Sequence, residues 1–288
     1  MKFGARFYGC EPSLLIAKAR LAEDLGYESI WRGDHLILPA HMASDYPYSS
    51  GPGRPFDAET PLLDVVVTFG FLAAATSSIK LATGVYILPL RDVYATARAI
   101  QTLDVLSEGR VIFGVGVGWL EEEFDIVGRS FAERGAATDE AVEVLKRLWS
   151  EPEPSFEGSS LSLLPVRFEP KPVQQPHPPI VFGGESAAAL ERAARTGDGW
   201  YGHRQSPVEV ASVIGQLDQL RAAHGRDEAP FEITIRVTPD VDLDDIDRFA
   251  ELGVARVVVE CGSFSDAEGR GDLDELERFA GRVMDRWQ

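Results

Sequence analysis

The sequence predicts a closed (β/α)8 barrel, a TIM barrel. Three observations point to it. Short apolar segments alternate with amphipathic helical segments eight times along the 288 residues. The later apolar segments are too apolar to have one wet face, which suits parallel strands covered by helices. The competing architecture, a doubly wound open sheet, needs Gly-x-Gly-x-x-Gly at its first turn. Counted from Gly114 and Gly116, the third glycine would stand where the chain has Trp119. Counted from Gly116 and Gly118, it would stand where the chain has Glu121.

Residues 2–8 read as the first strand. Pro12 opens a helix with Leu14, Ala17, Leu21 and Leu25 on one face, and Gly26 stops it. The second strand covers 28–31. A run over 39–57, rich in Gly, Pro, Ser and Tyr, predicts a long loop of the kind that is usually functional or mobile. Thr60-Pro61 opens an apolar helix that lasts through Ala75. The third strand covers 79–88, and a helix over 92–107 is stopped by Gly109. The fourth strand, 110–117, runs into a glycine-lined bend and an acidic helix start at Glu121, Glu122 and Glu123. A helix over 136–149 carries Val142, Leu145 and Leu148 on one face.

Residues 151–179 break the rhythm with many prolines and a Glu157-Gly158-Ser159 turn signal. They predict an inserted hairpin plus an extended lead-in. The alternation resumes with strands over 179–182, 198–201, 231–237 and 255–260. The matching helices cover 186–196, 207–224, 243–252 and 273–286. The expectation is one barrel domain, 1–288, with insertions at 39–57 and 151–179.

The chain carries 46 acidic and 28 basic residues, a formal charge of -18. That argues against nucleic acid, whose phosphates need a basic surface, and against anionic membranes. No apolar run is long enough to cross a bilayer. Met1-Lys2-Phe3-Gly4 lacks the basic-then-apolar pattern of a signal peptide. Cys10 and Cys261 are far apart and without metal spacing, so a cytoplasmic location is expected.

In a barrel the reactive groups come from the strand carboxyl ends and the loops that follow. Asp34-His35, after the second strand, is the best acid/base pair: histidine titrates near neutral pH, and a neighbouring carboxylate can fix its tautomer. His203-Arg204 suits contact with an anion or substrate. His41, His177 and His224 read as loop or surface residues. Gly183-Gly184-Glu185-Ser186 has the features of an anion site, with backbone N–H groups freed by glycine and a serine cap at a helix start. The bend after the fourth strand, Gly116-Val117-Gly118-Trp119, offers bare backbone to a flat ligand. Two such places in one chain point to a phosphate-tailed aromatic cofactor. No cluster has metal spacing, and neither a Gly-x-Ser-x-Gly elbow nor a Walker loop is present.

These residues resemble the luciferase-like monooxygenase superfamily over nearly the whole chain. Gly26-Tyr27-Glu28-Ser29-Ile30-Trp31 followed by Asp34-His35 resembles the second strand of its deazaflavin-dependent branch. Lys80-Leu81-Ala82-Thr83-Gly84-Val85 with Leu88-Pro89 resembles its third strand. Residues 96–118 resemble the block that ends in Gly-Val-Gly-x-Gly. The segment from Pro170-Lys171-Pro172-Val173-Gln174 through Gly184 to Asp198-Gly199-Trp200 is also similar.

The resemblance implies a TIM barrel that binds coenzyme F420, a deazaflavin, or alternatively FMN. It implies a cis peptide joining Gly84 to Val85 behind the ring. Val117, Gly118 and Trp119 would flank the ring, Gly183, Gly184, Glu185 and Ser186 would approach the phosphate, and Asp34 and His35 would sit at the reactive edge. Deazaflavin has carbon at ring position five and moves hydride, whereas reduced flavin reacts there with oxygen. The Gly33-Asp34-His35 element and the arginine-rich composition favour F420. The expected reaction is hydride transfer between F420 and a small organic substrate, with His35 trading the proton and Asp34 orienting it. An FMN-dependent monooxygenase fed by a flavin reductase is the alternative, and a non-catalytic cofactor-binding protein the third. The resemblance also implies a homodimer. In this sequence the apolar helix over 62–75 offers a contact surface, and its all-round apolar character equally suits burial between the barrel and neighbouring loops.

Overall fold

A computed structural model describes residues 1–48, 54, 56–262 and 271–287. The elements run β1 (Lys2–Arg6), α1 (Pro12–Asp24), β2 (Ser29–Arg32), α2 (Val65–Ala73), β3 (Lys80–Thr83), β4 (Tyr86–Ile87), α3 (Val93–Leu106), β5 (Val111–Gly116), α4 (Glu121–Ile126) and α5 (Arg134–Ser150). They continue with β6 (Phe156–Glu157), β7 (Ser162–Leu163), β8 (Ile180–Gly183), α6 (Ala187–Thr196), β9 (Gly199–His203), α7 (Pro207–Ala223), β10 (Glu232–Val237), α8 (Leu243–Glu251), β11 (Arg256–Glu260) and α9 (Gly271–Arg282).

All pairings in the main sheet are parallel. β1 lies between β2 and β11, and the order continues through β10, β9 and β8 to β5. A β3–β5 pairing, with Leu81 opposite Val111, closes the ring. β3 and β4 are one strand position interrupted at Gly84–Val85, so eight positions make the barrel. The third strand, expected unbroken over 79–88, is therefore split, and the Gly84–Val85 peptide is cis.

Two apolar layers follow from the side-chain alternation of each strand. Trp31, Ala82, Ile112, Val181, Tyr201 and Val258 fill the interior of the ring. Phe3, Ile30, Leu81, Phe113, Ile235 and Val257 face outward and pack with the helices in a second cluster. α1 starts as its sequence dictates: Pro12 sits in the first turn, and Glu11 accepts from the Ser13 and Leu14 N–H groups.

α2 begins later than Thr60-Pro61 suggests. Asp64 is its cap and accepts from the Val66 and Val67 N–H groups, so the four residues after Thr60 stay outside the helix. The insertion over 151–179 holds the expected hairpin, β6 against β7, with Phe156 opposite Leu163. The Glu140 carboxylate of α5 holds its turn, accepting from the Ser160 and Leu161 N–H groups at 3.0 and 2.9 Å.

The glycine at 114 serves the break in the third strand. A Cβ there would stand 1.8 Å from the Thr83 carbonyl oxygen, and the Thr83 hydroxyl donates to the Gly114 carbonyl at 2.7 Å. The expected result for Gly114→Ala is a stability loss of about 1–3 kcal/mol, because the obstacle is backbone and cannot rotate away. A chemical denaturation midpoint equal to that of the wild type would contradict this.

Candidate active site

The strand carboxyl ends open into a cavity of about 1000 Å³. Asp34, His35, Gly84, Val85, Val117, Gly118, Trp119, Gly183, Gly184, Glu185, Ser186, His203 and Arg204 all line it. The barrel thus brings every residue singled out from the sequence to one wall system.

The glycines work differently from the expectation. They were read as bare backbone for a ligand. A Cβ at Gly116 would stand 2.4 Å from Val85 Cγ2, and one at Gly183 would stand 2.8 Å from Val85 Cγ1. One at Gly118 would meet Phe124 and Ile87, at 2.8 and 2.9 Å. The missing side chains admit Val85 and the neighbours of Gly118. The ligand space is the cavity that Val85 lines. Arg6 of β1 donates to the Gly84 carbonyl and fixes the Val85 shelf from inside the barrel.

Asp34 does not orient His35. The two side chains take different partners. Asp34 takes a two-pronged pair from Arg91 at 2.7 and 2.8 Å, and the Ile87 N–H donates to it at 3.1 Å. Burial pushes its carboxyl up from the ordinary value, and Arg91 offsets part of that. The partner of His35 is Glu123 of α4, with Oε2 2.8 Å from Nδ1. Glu123 is 1% exposed, and its other oxygen accepts from Leu36 and Ile37 N–H at 2.6 and 3.2 Å. The carboxylate only accepts, so Nδ1 carries the hydrogen and a neutral ring keeps its lone pair on Nε2.

The next glutamate ties down the long loop. Glu122 accepts from Ser44 N–H at 2.9 Å and from Ser44 Oγ at 2.7 Å. These bonds hold its carboxyl down at about 2. The loop returns Tyr46, Tyr48 and Phe56 to the rim, where Tyr46 meets Trp119 edge-on at 5.3 Å and Trp119 meets His35 at 5.9 Å. Residues 49–53 and 55 of this loop lie outside the described residues.

His203 stacks on Tyr48 with ring centroids 5.0 Å apart. Burial and the adjacent Arg236 push it down to about 3, so it is neutral at physiological pH. Arg204 is committed to Glu260, with Nε and Nη2 at 3.0 and 2.6 Å. Ser186 caps α6 by accepting from the Ala189 N–H at 3.2 Å. Glu185 accepts from the His203 N–H at 3.1 Å, and burial raises its carboxyl.

His177, read as a loop or surface residue, lies in a loop and packs beside Trp149 with its side chain 10% exposed. Pro178 lends its carbonyl to Nδ1 at 2.9 Å. No group of three His, Cys, Asp or Glu residues is placed to hold a metal among the described residues.

Sequence reasoning missed Glu123, Arg134, and the charged ends of the first strand and the last two: Arg6, Arg236 and Glu260. The signal was present. A charge at the carboxyl end of an apolar barrel strand has no packing purpose and reads as function. Arg134 lines the cavity beside Gly118, donating to the Gly118 and Phe131 carbonyls at 3.2 and 2.7 Å, and no described carboxylate pairs with it.

A parallel barrel with a cavity at its strand ends, a histidine held by a buried glutamate and a capped helix start beside two glycines defines a barrel enzyme. The chain belongs to the luciferase-like monooxygenase family, whose model matches residues 9–278. It is accordingly an oxidoreductase. An uncharacterised protein of Mycobacterium tuberculosis is 35% identical over 84% of this chain and 85% of its own length. An F420-dependent glucose-6-phosphate dehydrogenase of Kineococcus radiotolerans is 31% identical over 81% of this chain and 65% of its own. An FMNH2-dependent dimethylsulfone monooxygenase of Pseudomonas putida is 33% identical over 52% of this chain and 41% of its own. Among solved structures, a monooxygenase of Streptomyces bottropensis superposes with a TM-score of 0.80 at 22% identity over all of both chains, which shows the fold. No described helix is long and apolar enough to cross a membrane.

Proposed function

We propose that this oxidoreductase uses coenzyme F420 and exchanges a hydride between it and a small organic substrate, with His35 handling the accompanying proton. The observation that carries the reading is the Glu123–His35 pair, which shares one cavity with the Val85 shelf. A buried carboxylate fixes the ring tautomer, and the free imidazole nitrogen is left to accept or return a proton. Asp34 acts at a distance, through Arg91 and Ile87, by holding the segment after the cis peptide.

The residues fit a phosphate-tailed ring. Val85, Gly84, Val117, Gly118 and Trp119 would bracket the ring. Gly183, Gly184, Glu185 and Ser186 would hold the phosphate at the start of α6, where the helix dipole favours an anion. Arg134, with no carboxylate of its own among the described residues, supplies the cation there. Bound in this cavity, reduced deazaflavin supplies a hydride from ring carbon five. The chain contributes the flat seat, the aromatic rim of Tyr46, Phe56 and Trp119 that limits water, and the proton at His35.

The breadth of similarity supports F420. The F420-dependent relative aligns over 81% of this chain and the FMNH2-dependent one over 52%. FMN-dependent monooxygenation, with a flavin reductase as partner, is the second reading, favoured by that latter relative. Titration of the purified protein with F420 and with FMN separates them: F420 is expected to bind tightly, and binding of FMN alone would overturn the proposal. F420 that binds but is never consumed over a broad substrate panel would instead reveal a non-catalytic carrier.

The Arg134→Ala variant is expected to weaken F420 binding about tenfold, the worth of one hydrogen-bonded charge, in protein that remains folded. Undiminished affinity would remove Arg134 from the phosphate site. We also propose a homodimer through α2, whose Val67 and Phe71 are exposed beside Leu62 and Leu63. Sedimentation as a monomer would refute it.

A further inference from the structure

Arg236 stands at the carboxyl end of β10, 6% exposed and lining the cavity. Among the described residues its guanidinium donates no hydrogen bond. Among the described residues its one ion-pair contact is a Glu260 oxygen 3.5 Å from Nε. Glu260 is already taken. Tyr8 donates its hydroxyl to one oxygen, Arg204 holds the other through two nitrogens, and Arg6 Nε is 3.8 Å away. Arg6 in turn is occupied by the Gly84 carbonyl and by Tyr8. One carboxylate therefore serves three guanidiniums, and Arg236 is left with its donors unused. A buried charge in that condition is costly unless something that enters the cavity supplies the acceptor.

A second unused donor lies on the neighbouring strand. The Tyr201 hydroxyl of β9 is buried without a partner, while its ring is stacked on Trp31 at 4.8 Å. Tyr201 pairs in register with Thr234, and Arg236 with His203. Tyr201 and Arg236 are thus diagonal neighbours on the same inward face of the ladder. Both line the cavity. His203 beside them is pushed towards its neutral form by burial and by Arg236.

We infer that Arg236 and Tyr201 seat the carboxylate of the substrate, so that the substrate class is a small organic carboxylate. A guanidinium fork takes both carboxylate oxygens at once, and the tyrosine hydroxyl adds one further bond. One free cation and one free hydroxyl suit a monoanion. A phosphate brings more charge and more oxygens than these two groups satisfy. The inference rests on reading the cavity as the site of hydride transfer, since it makes this half of the cavity the substrate's and leaves the α6 side to the cofactor.

The test is calorimetric titration of the purified protein with benzoate, benzamide and inorganic phosphate, beside a separate titration with F420. Benzoate is expected to bind, and benzamide and phosphate to bind at least tenfold more weakly. Arg236→Met should weaken benzoate about 30-fold and Tyr201→Phe about fivefold, both with F420 affinity unchanged. Arg236→Met should also melt close to the wild-type temperature without ligand, because Glu260 keeps Arg204, Arg6 and Tyr8 as partners. Equal binding of benzamide or phosphate, or unchanged benzoate affinity in Arg236→Met, overturns the inference. So does loss of F420 binding in that variant, which would give Arg236 to the cofactor. Wild-type protein that binds benzoate through Arg236 but not F420 would support the seat and refute the hydride-transfer reading alone.

Discussion

The His35→Ala variant is expected to lose turnover by about 10²- to 10⁴-fold, the range of a general acid or base, with F420 binding unchanged. The imidazole touches Phe56 and Trp119 edge-on and is tied to the chain's own Glu123, so its removal leaves the Val85 shelf and the α6 start in place. Added imidazole should restore part of the rate in His35→Ala. Glu123→Gln separates chemistry from architecture. The amide keeps an acceptor for the Leu36 and Ile37 N–H groups but turns an N–H donor towards Nδ1, which forces the ring hydrogen to Nε2. Glu123 is a positioning residue in this scheme, and the variant should lower kcat with little change in KM. Turnover of His35→Ala at the wild-type rate would end the assignment.

The barrel was legible because parallel strands under helices are apolar on both faces, a pattern that needs no partner to be read. β11 shows it, with the consecutive Val257, Val258 and Val259 all buried. The cavity residues were legible for a related reason. A barrel sends every strand end to one rim, so glycine, histidine and aspartate at those ends converge whatever their spacing in sequence. Partner choice was not legible. Asp34 and His35 are adjacent in the chain and take different partners, while His35 and Glu123 are far apart in the chain and meet. Such a pairing is fixed by the tilt and stagger of the ring. The glycines show the same limit. Their small size was read correctly, but the gaps are met by Thr83 at Gly114, by Val85 at Gly116 and Gly183, and by Phe124 and Ile87 at Gly118.

The largest expected loss of stability follows from Lys18→Met. Lys18 of α1 and Asp272 of α9 are both fully buried, with Nζ 2.7 Å from Oδ2. Lys18 also donates to the Tyr8 carbonyl at 2.9 Å, and the Tyr8 N–H donates to Asp272 at 3.3 Å. The pair clamps the last helix to the first and holds the chain at the end of β1. Methionine preserves the volume but strips a buried carboxylate of its cation, a change that costs about 3–5 kcal/mol. For a chain of this size that is a fall of roughly 5–8 °C in melting temperature. The double variant Lys18→Met with Asp272→Asn should recover most of the loss, since a neutral pair has no stranded charge. A double variant as unstable as the single one would show that packing, not charge, sets the cost. The consequence reaches the cavity: the Tyr8 held by this clamp is the residue whose hydroxyl engages Glu260. Lys18→Met should therefore weaken benzoate binding even at temperatures where the barrel is folded.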